Sequence, residues 1–322
     1  MATARRMEAD PSIVSFVQRL LATDVEPQLI SVWRSSKASL YHFRSGTGDS
    51  SEVVVKQAAR GEPAADAFAA LNRLADFVEA SKLPGLTVGR PLGLDRELDA
   101  VAMPYVAGDL LGTLLRQNRQ ELESIVERTA VLMADVHRIS RVVDPGDEAL
   151  TVANERLTRL IGARDCSTGQ RLLRGRHKVV RRLIDFNPNN LVLKADGNLC
   201  LIDPHVFEDL FVYIHQDIVA FLYKTYKRLV SRPWNRFRIE QALDFRTQID
   251  RFLRTYFEHC DRTMDDHDLE VVQVALDGYT RLSSPSERGR HRVARFYFND
   301  WLLRREAQKA LGRPPAPGGA SR

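Results

Sequence analysis

The stretch that most constrains this chain runs from Arg182 to His205 and reads RLIDFNPNNLVLKADGNLCLIDPH. Two short apolar runs, Leu191-Val-Leu-Lys194 and Leu199-Cys-Leu-Ile202, flank the turn Ala195-Asp-Gly-Asn198, a pattern that predicts a β-hairpin. Antiparallel pairing places the end of one strand beside the beginning of the other, so the fold-back sets Asp203 near Asn190. Asp185 lies on the loop before the first strand, where Pro188 restricts φ and prevents a helix from continuing. Two oxygen ligands on adjacent strand ends suit a hard cation that keeps several waters and binds phosphates. An acid, an amide and a second acid in this order also match what phosphoryl transfer requires: a carboxylate near the attacking hydroxyl and two groups to hold Mg²⁺. The plainer alternative is a surface hairpin in which Asp and Asn act only as turn formers.

Length and composition leave room for this chemistry. The 322 residues allow two lobes, and 44% hydrophobic content is enough for a substantial core. No stretch approaches the roughly 18 apolar residues of a membrane span, and the charged start MATARRMEAD lacks the apolar region of a secretory signal. Cys166, Cys200 and Cys260 are widely separated and show no zinc spacing, which suits a reducing compartment and makes a cytoplasmic enzyme the default. The formal charge of +5 is unevenly placed. Residues 170–183 read QRLLRGRHKVVRRL without an acid, and a second basic stretch, SERGRHRVARFYFNDWLLRREAQKAL, lies near the C-terminus. Each has a bland reading as a solvated basic face.

Hydrophobic periodicity divides the chain into a strand-rich half and a helical half. Residues 1–27 hold a helical lead-in with Ile13, Phe16, Val17, Leu20 and Leu21 at helical spacing. Strand signals follow at Leu29–Trp33, Leu40–Phe43, Val53–Lys56 and Val101–Val106, with a helix at 63–80 before the last of them. Beyond Gly108 the pattern predicts helices at 121–140, 150–162, 215–230, 237–259, 267–282 and 289–311, then a Pro/Gly-rich disordered tail at 312–322.

This order, with Asp185, Asn190 and Asp203, resembles the protein-kinase-like fold, and more closely the aminoglycoside phosphotransferase and small-molecule kinase superfamily. The resemblance covers residues 28–230 and rests on DFNPNNLVL, on LIDPH and on His215-Gln-Asp-Ile-Val-Ala-Phe221. Leu132-Met-Ala-Asp-Val-His-Arg138 looks like the family's helix before the catalytic region. It implies an α+β, bilobal architecture: a small antiparallel-sheet N-lobe at 1–103, a connector at 104–108 and a larger, mainly helical C-lobe at 109–311. It also implies ATP and Mg²⁺ as cofactors, Asp185 as the catalytic carboxylate, and Asn190 and Asp203 as metal ligands. Lys56 resembles the strand lysine that contacts nucleotide phosphates. Ser35 and Ser36 would belong to the phosphate-covering turn, and Met103, Tyr105 and Val106 to the connector at the adenine edge. Two departures stand out. The family's catalytic-loop histidine is replaced by Leu183, and the acid that should pair with Lys56 falls on Ala67 in the best register, leaving the adjacent Asp66 as the candidate.

The acceptor is less constrained. Arg suits bidentate contact with phosphate or carboxylate, so the Arg-rich approach to Asp185 points to a sugar-containing or anionic small molecule carrying a hydroxyl. An aminoglycoside-type antibiotic kinase, a nucleotide-binding pseudokinase with a regulatory role, and a basic nucleic-acid or membrane-surface binder are the alternatives. The kinase reading expects no nucleic-acid partner and no transmembrane segment, and leaves room for peripheral membrane contact.

Overall fold

The computed structural model describes residues 9–34, 38–45, 52–58, 63–117, 122–161, 179–182, 186–202, 211–229, 239–260 and 272. The chain divides into two compact units: Met1–Asp109 with Val192–Phe207, and Leu110–Leu191 with Glu208–Arg322. The helices expected at 267–282 and 289–311 and the tail at 312–322 lie outside the described residues, save Val272.

The first unit is built on a five-stranded sheet. Strands β1 (Gln28–Arg34), β2 (Ala38–Arg44), β3 (Glu52–Ala58), β5 (Gly93–Asp95) and β6 (Ala100–Pro104) run in the order β1-β2-β3-β6-β5, every neighbour antiparallel. Alternation along the strands gives the sheet two covered faces. Tyr41, Phe43, Val53, Val55, Ala100 and Ala102 point to one, where helix α1 (Pro11–Leu21) buries Ile13, Phe16 and Val17. Each of those three side chains contributes roughly 1.5–3 kcal/mol by leaving water. Helix α1 starts where Asp10 accepts a hydrogen bond from the Ser12 amide at 2.9 Å and Pro11 occupies the first turn, both standard initiators.

Helix α2 (Ala64–Ser81) covers the opposite face, packing Ala64 and Ala67 against Val101 with Phe68, Leu94 and Met103 around them. Pro63 cannot cap it by side chain. Asp99, held at φ 47° between β5 and β6, accepts from the Ala64 amide at 2.7 Å instead, so the cap comes from 35 residues away.

A second sheet has the order β4-β10-β9-β7, from β4 (Leu86–Val88), β10 (Leu199–Leu201), β9 (Leu191–Leu193) and β7 (Asp109–Leu110). The anticipated hairpin is β9–β10: the Lys194 amide donates to the Asn198 carbonyl at 2.9 Å, and Gly197 takes the turn at φ 81°. The sequence reading did not anticipate that β10 also pairs in parallel with β4, aligning Leu199 with Leu86 and Leu201 with Val88. Cys200, central on β10, is buried, and burial pushes its thiol pKa up.

Helices dominate the second unit: α3 (Leu111–Gln117), α4 (Leu122–Ile139), α5 (Asp147–Ile161), α6 (Ile214–Leu229) and α7 (Ile239–His259). Helices α4 and α7 lie side by side, tied by Arg251 to Glu123 and Glu127 and by His259 to Asp135. Strand β8 (Val179–Arg181) pairs with β11 (Phe211–Tyr213), and Val179 and Tyr213 pack on Leu150, Ala153 and Leu157 of α5. Part of the basic run, read as a loop or solvated strand, is therefore a core strand with Val179 and Val180 buried and Arg181 exposed. Among the described residues, no helix is long and apolar enough to cross a membrane.

Gly108 sits where no side chain fits. Its φ is 147°, and a Cβ would lie 2.3 Å from the Leu193 carbonyl oxygen and 2.8 Å from a Val192 methyl. Gly108→Ala should destabilise the protein by about 1–3 kcal/mol, seen as a lower midpoint in urea unfolding.

Candidate active site

In the first unit the alternation of β3 decides which side chains face which way. Val53 and Val55 enter the α1 core, so Val54 and Lys56 share the other face, with Lys56 between Leu40 and Val101 in register. That is the face α2 covers at Val101, and the helix residue buried there is Ala67. Asp66, one position earlier, is exposed in the first turn of α2, where a carboxylate favours the helix dipole. Ser35 and Ser36 lie outside the described residues.

The connector residues follow the same ladder. The Tyr105 amide donates to the Glu52 carbonyl at 2.8 Å, and Met103 stands opposite Val54, so both pair their backbone toward β3. The intervening Pro104 carbonyl is thereby turned away from β3. Val106, just beyond the end of β6, is half-buried.

Around this edge stands a group the sequence reading missed. The His42 and Tyr105 rings stack with centroids 4.1 Å apart, Trp33 lies 6.4 Å from His42 on a nearly parallel plane, and Trp33 and Tyr105 are exposed. His42 Nε2 meets a Glu52 oxygen at 2.8 Å, and Arg44 grips the other through Nε at 2.8 Å. These residues lie on three strands and just past the end of a fourth, so only the register reveals them. The nearest sequence signal is the alternation of Leu40, His42 and Arg44 opposite Tyr41 and Phe43.

The second unit holds the loop before β9. Asp185 lies outside the described residues, as does Asp203 beyond β10. Residues 186–190, just before β9, form a turn held by backbone hydrogen bonds. The Asn190 amide donates to the Asn187 carbonyl at 2.8 Å, and the Gly112 amide of α3 donates to the Pro188 carbonyl at 2.7 Å. A Cβ on Gly112 would lie 2.5 Å from the Asn189 side chain, so α3 presses directly on the turn. Asn190 is buried, and its side-chain nitrogen has no hydrogen-bond partner among the described residues. A buried amide with an open end is the kind of group that a ligand satisfies. No cluster of three or more His, Cys, Asp and Glu among the described residues forms a metal site.

A buried polar group joins Arg182 to α4, α6 and α7. Arg182 Nε lies 2.6 Å from one oxygen of Asp217, on the first turn of α6, and His137 Nε2 of α4 lies 3.4 Å from the other. His137 Nδ1 meets the Tyr256 hydroxyl of α7 at 2.8 Å, and its ring edge packs on Phe186 with centroids 6.5 Å apart. Asp217 had been legible as the acid at a helix start. Arg182, His137 and Tyr256 had not, because their partners are 35 to 119 residues away.

The architecture is that of the protein-kinase-like phosphotransferases. By structure the chain is similar to a macrolide 2'-phosphotransferase of type I, at TM-score 0.54 and 14% identity over 92% of this chain and 98% of that one. It is similar to APH(2")-IIia, solved with GDP and kanamycin, at TM-score 0.53 and 11% identity over 93% and 99%. An aminoglycoside-3'-phosphotransferase of type VIII follows, at TM-score 0.51 and 18% identity over 83% and 98%. No protein-family model matches the sequence, and no curated protein is significantly similar to it. At these identities the likeness is one of fold.

Two outcomes follow from the geometry. Asp217→Ala leaves the buried Arg182 without this carboxylate and should cost about 3 kcal/mol, read from chemical denaturation. Arg44 and then His42 hold the Glu52 carboxyl below its usual range. A depressed folded pKa stabilises above the unfolded value of about 4.3 and is lost as pH falls through the lower folded one. Glu52→Gln should therefore melt at lower temperature than the parent at pH 7, with the gap closing below about pH 4.

Proposed function

We propose that the protein is an ATP-dependent phosphotransferase that moves the γ-phosphoryl group to a hydroxyl of a small molecule, working in the cytoplasm. The reading is supported by one observation above the rest: a buried Asn190, in a turn held by the Gly112 amide, immediately before the β9–β10 hairpin that leads toward Asp203. The fold shared with aminoglycoside and macrolide phosphotransferases supports the same class of reaction. The three widely separated cysteines favour the reducing setting.

In this reading Asp185 orients the acceptor hydroxyl and takes its proton as the hydroxyl oxygen bonds to the γ-phosphorus and the bond from that phosphorus to the bridging oxygen breaks, releasing ADP. Asn190 and Asp203 supply the oxygens for Mg²⁺, and an amide oxygen with a carboxylate fits a hard cation. When bound, that cation neutralises charge on the nucleotide phosphates. Lys56, on the α2-covered face of β3, steadies the phosphates, and the turn carrying Ser35 and Ser36 covers them. The connector offers the Pro104 carbonyl to the base; Met103 and Val106 line the approach, and Tyr105 adds a ring. Asp66 acts from a distance, as a charge at the start of α2.

The acceptor class is a sugar-containing or anionic hydroxyl compound, favoured by the Arg-rich run at 171–181, Arg182 being engaged with Asp217. Lobes at 1–103 and 109–311 with a connector at 104–108 complete the assignment. Screening hydroxylated acceptors with ATP consumption as readout should find Mg²⁺-dependent turnover. Asp185→Ala should lower kcat by about 10²–10⁴-fold while leaving nucleotide affinity nearly unchanged. Nucleotide binding with no turnover on a broad acceptor panel would instead favour a regulatory module.

A further inference from the structure

Helices α6 and α7 meet along matched rows. Asp217 of α6 and Tyr256 of α7 are joined through His137. One turn on, Phe221 and Phe252 stack with ring centroids 5.2 Å apart. The α6 row rises by four residues as the α7 row falls by four, so the helices run antiparallel with one ridge of each in contact. The next pair on these rows is Thr225 with Gln248, about 5 Å further along. Both are buried, Thr225 at 2% exposure and Gln248 at 6%.

This pair is polar, and its oxygens are unsatisfied. Neither Thr225 Oγ1 nor Gln248 Oε1 has a hydrogen-bond partner among the described residues. A helical hydroxyl commonly turns back to the carbonyl four residues earlier. Thr129, Ser140 and Thr151 do so, at 2.8, 2.7 and 2.7 Å. Thr225 makes no such bond to Phe221. Its hydroxyl has forgone the local partner on a row that faces α7, beside a stack of two buried rings that offers it nothing polar.

The chemistry of the two atoms defines what belongs between them. An amide oxygen only accepts, whereas a hydroxyl both donates and accepts. The bridging group must therefore donate to Gln248, and it can accept from Thr225. Neither residue carries a charge to offset a buried ion. Water is the smallest neutral molecule that meets both demands, and buried waters typically serve polar groups of this kind.

We propose that Thr225 and Gln248 hold one buried water, which accepts from the Thr225 hydroxyl and donates to the Gln248 amide oxygen. It ties α6 to α7 beyond the Phe221–Phe252 stack. The site is separate from the reaction proposed above and stands whatever the acceptor.

A crystal structure of the full chain showing ordered solvent should place one water within about 3.2 Å of both atoms. Thr225 bonded to the Phe221 carbonyl, either oxygen bonded to another side chain, or a dry pair would each overturn the proposal. Stability in urea gives a second reading, through its sign. Thr225→Val keeps the shape but strips the water of a partner, so the unfolding equilibrium constant should rise about tenfold. Gln248→Met should act similarly. The double variant replaces both partners by apolar groups and should lie within about threefold of either single variant.

Two separately unpaired groups behave in the opposite way: each substitution then leaves stability unchanged or raises it, and that result overturns the bridge. Losses that multiply to about 100-fold in the double variant also overturn it, because they assign the two oxygens different partners. Should Gln248→Met fail to fold, the parent crystal structure and Thr225→Val decide together: a water on both oxygens with a loss of stability supports the site, and the lack of either overturns it.

Discussion

A carboxylate buried as deeply as Asp217 persists only if both oxygens have partners, because desolvating an unpaired charge costs several kcal/mol. That requirement organises much of the second unit. Asp217 opens α6, and its two oxygens draw in Arg182 from the loop side and His137 from α4. Tyr256 extends the arrangement to α7, whose side-by-side packing with α4 is further tied by Arg251 and His259. Four segments distant in sequence thus meet at one acid.

The first unit solves a different problem. A sheet covered on both faces has few positions at which a charged side chain can leave the core, and alternation sorts them. Odd-numbered positions of β3 fill the α1 side, which leaves Glu52, Val54 and Lys56 on the other. Small residues on α2, Ala64 and Ala67, let the helix approach Val101 closely. Toward β1 that same face carries rings, with His42 between Trp33 and Tyr105 and Glu52 bound by Arg44. The unit therefore presents an aromatic edge and a lysine on one strand-defined surface, set by register alone.

Local signals carried much of the architecture. The hairpin was legible because two apolar runs flank a Gly-containing turn, and α1, α2, α4 and α6 because apolar residues recur at helical spacing. Strands β8 and β11 were not, since three-residue strands leave no period, and Val179-Val180 sits inside a run dominated by arginine. The Asp99 cap on α2 and the His42–Glu52 pair were equally silent, because each joins residues whose proximity depends on the folded sheet. For the site, the order of Asp185, Asn190 and Asp203 was readable as chemistry. Asn190 is set in a braced turn, whereas the pairing of Arg182 and His137 with Asp217 emerges only from tertiary contacts.

The parallel pairing of β10 with β4 bears on how the chain comes into being. Strand β4 has β10 as its sheet neighbour, and Thr87 contacts Leu199 across a separation of 112 residues. During synthesis the first unit must wait, with one strand edge unsatisfied, until most of the second unit's early helices have been made. Contacts of such long range close slowly, and an unpaired strand edge invites pairing with another chain. The amino-terminal half is thus not an independent folding module. Its completion is timed by the arrival of the β9–β10 hairpin, so the second sheet assembles only once residues 191–201 have been made.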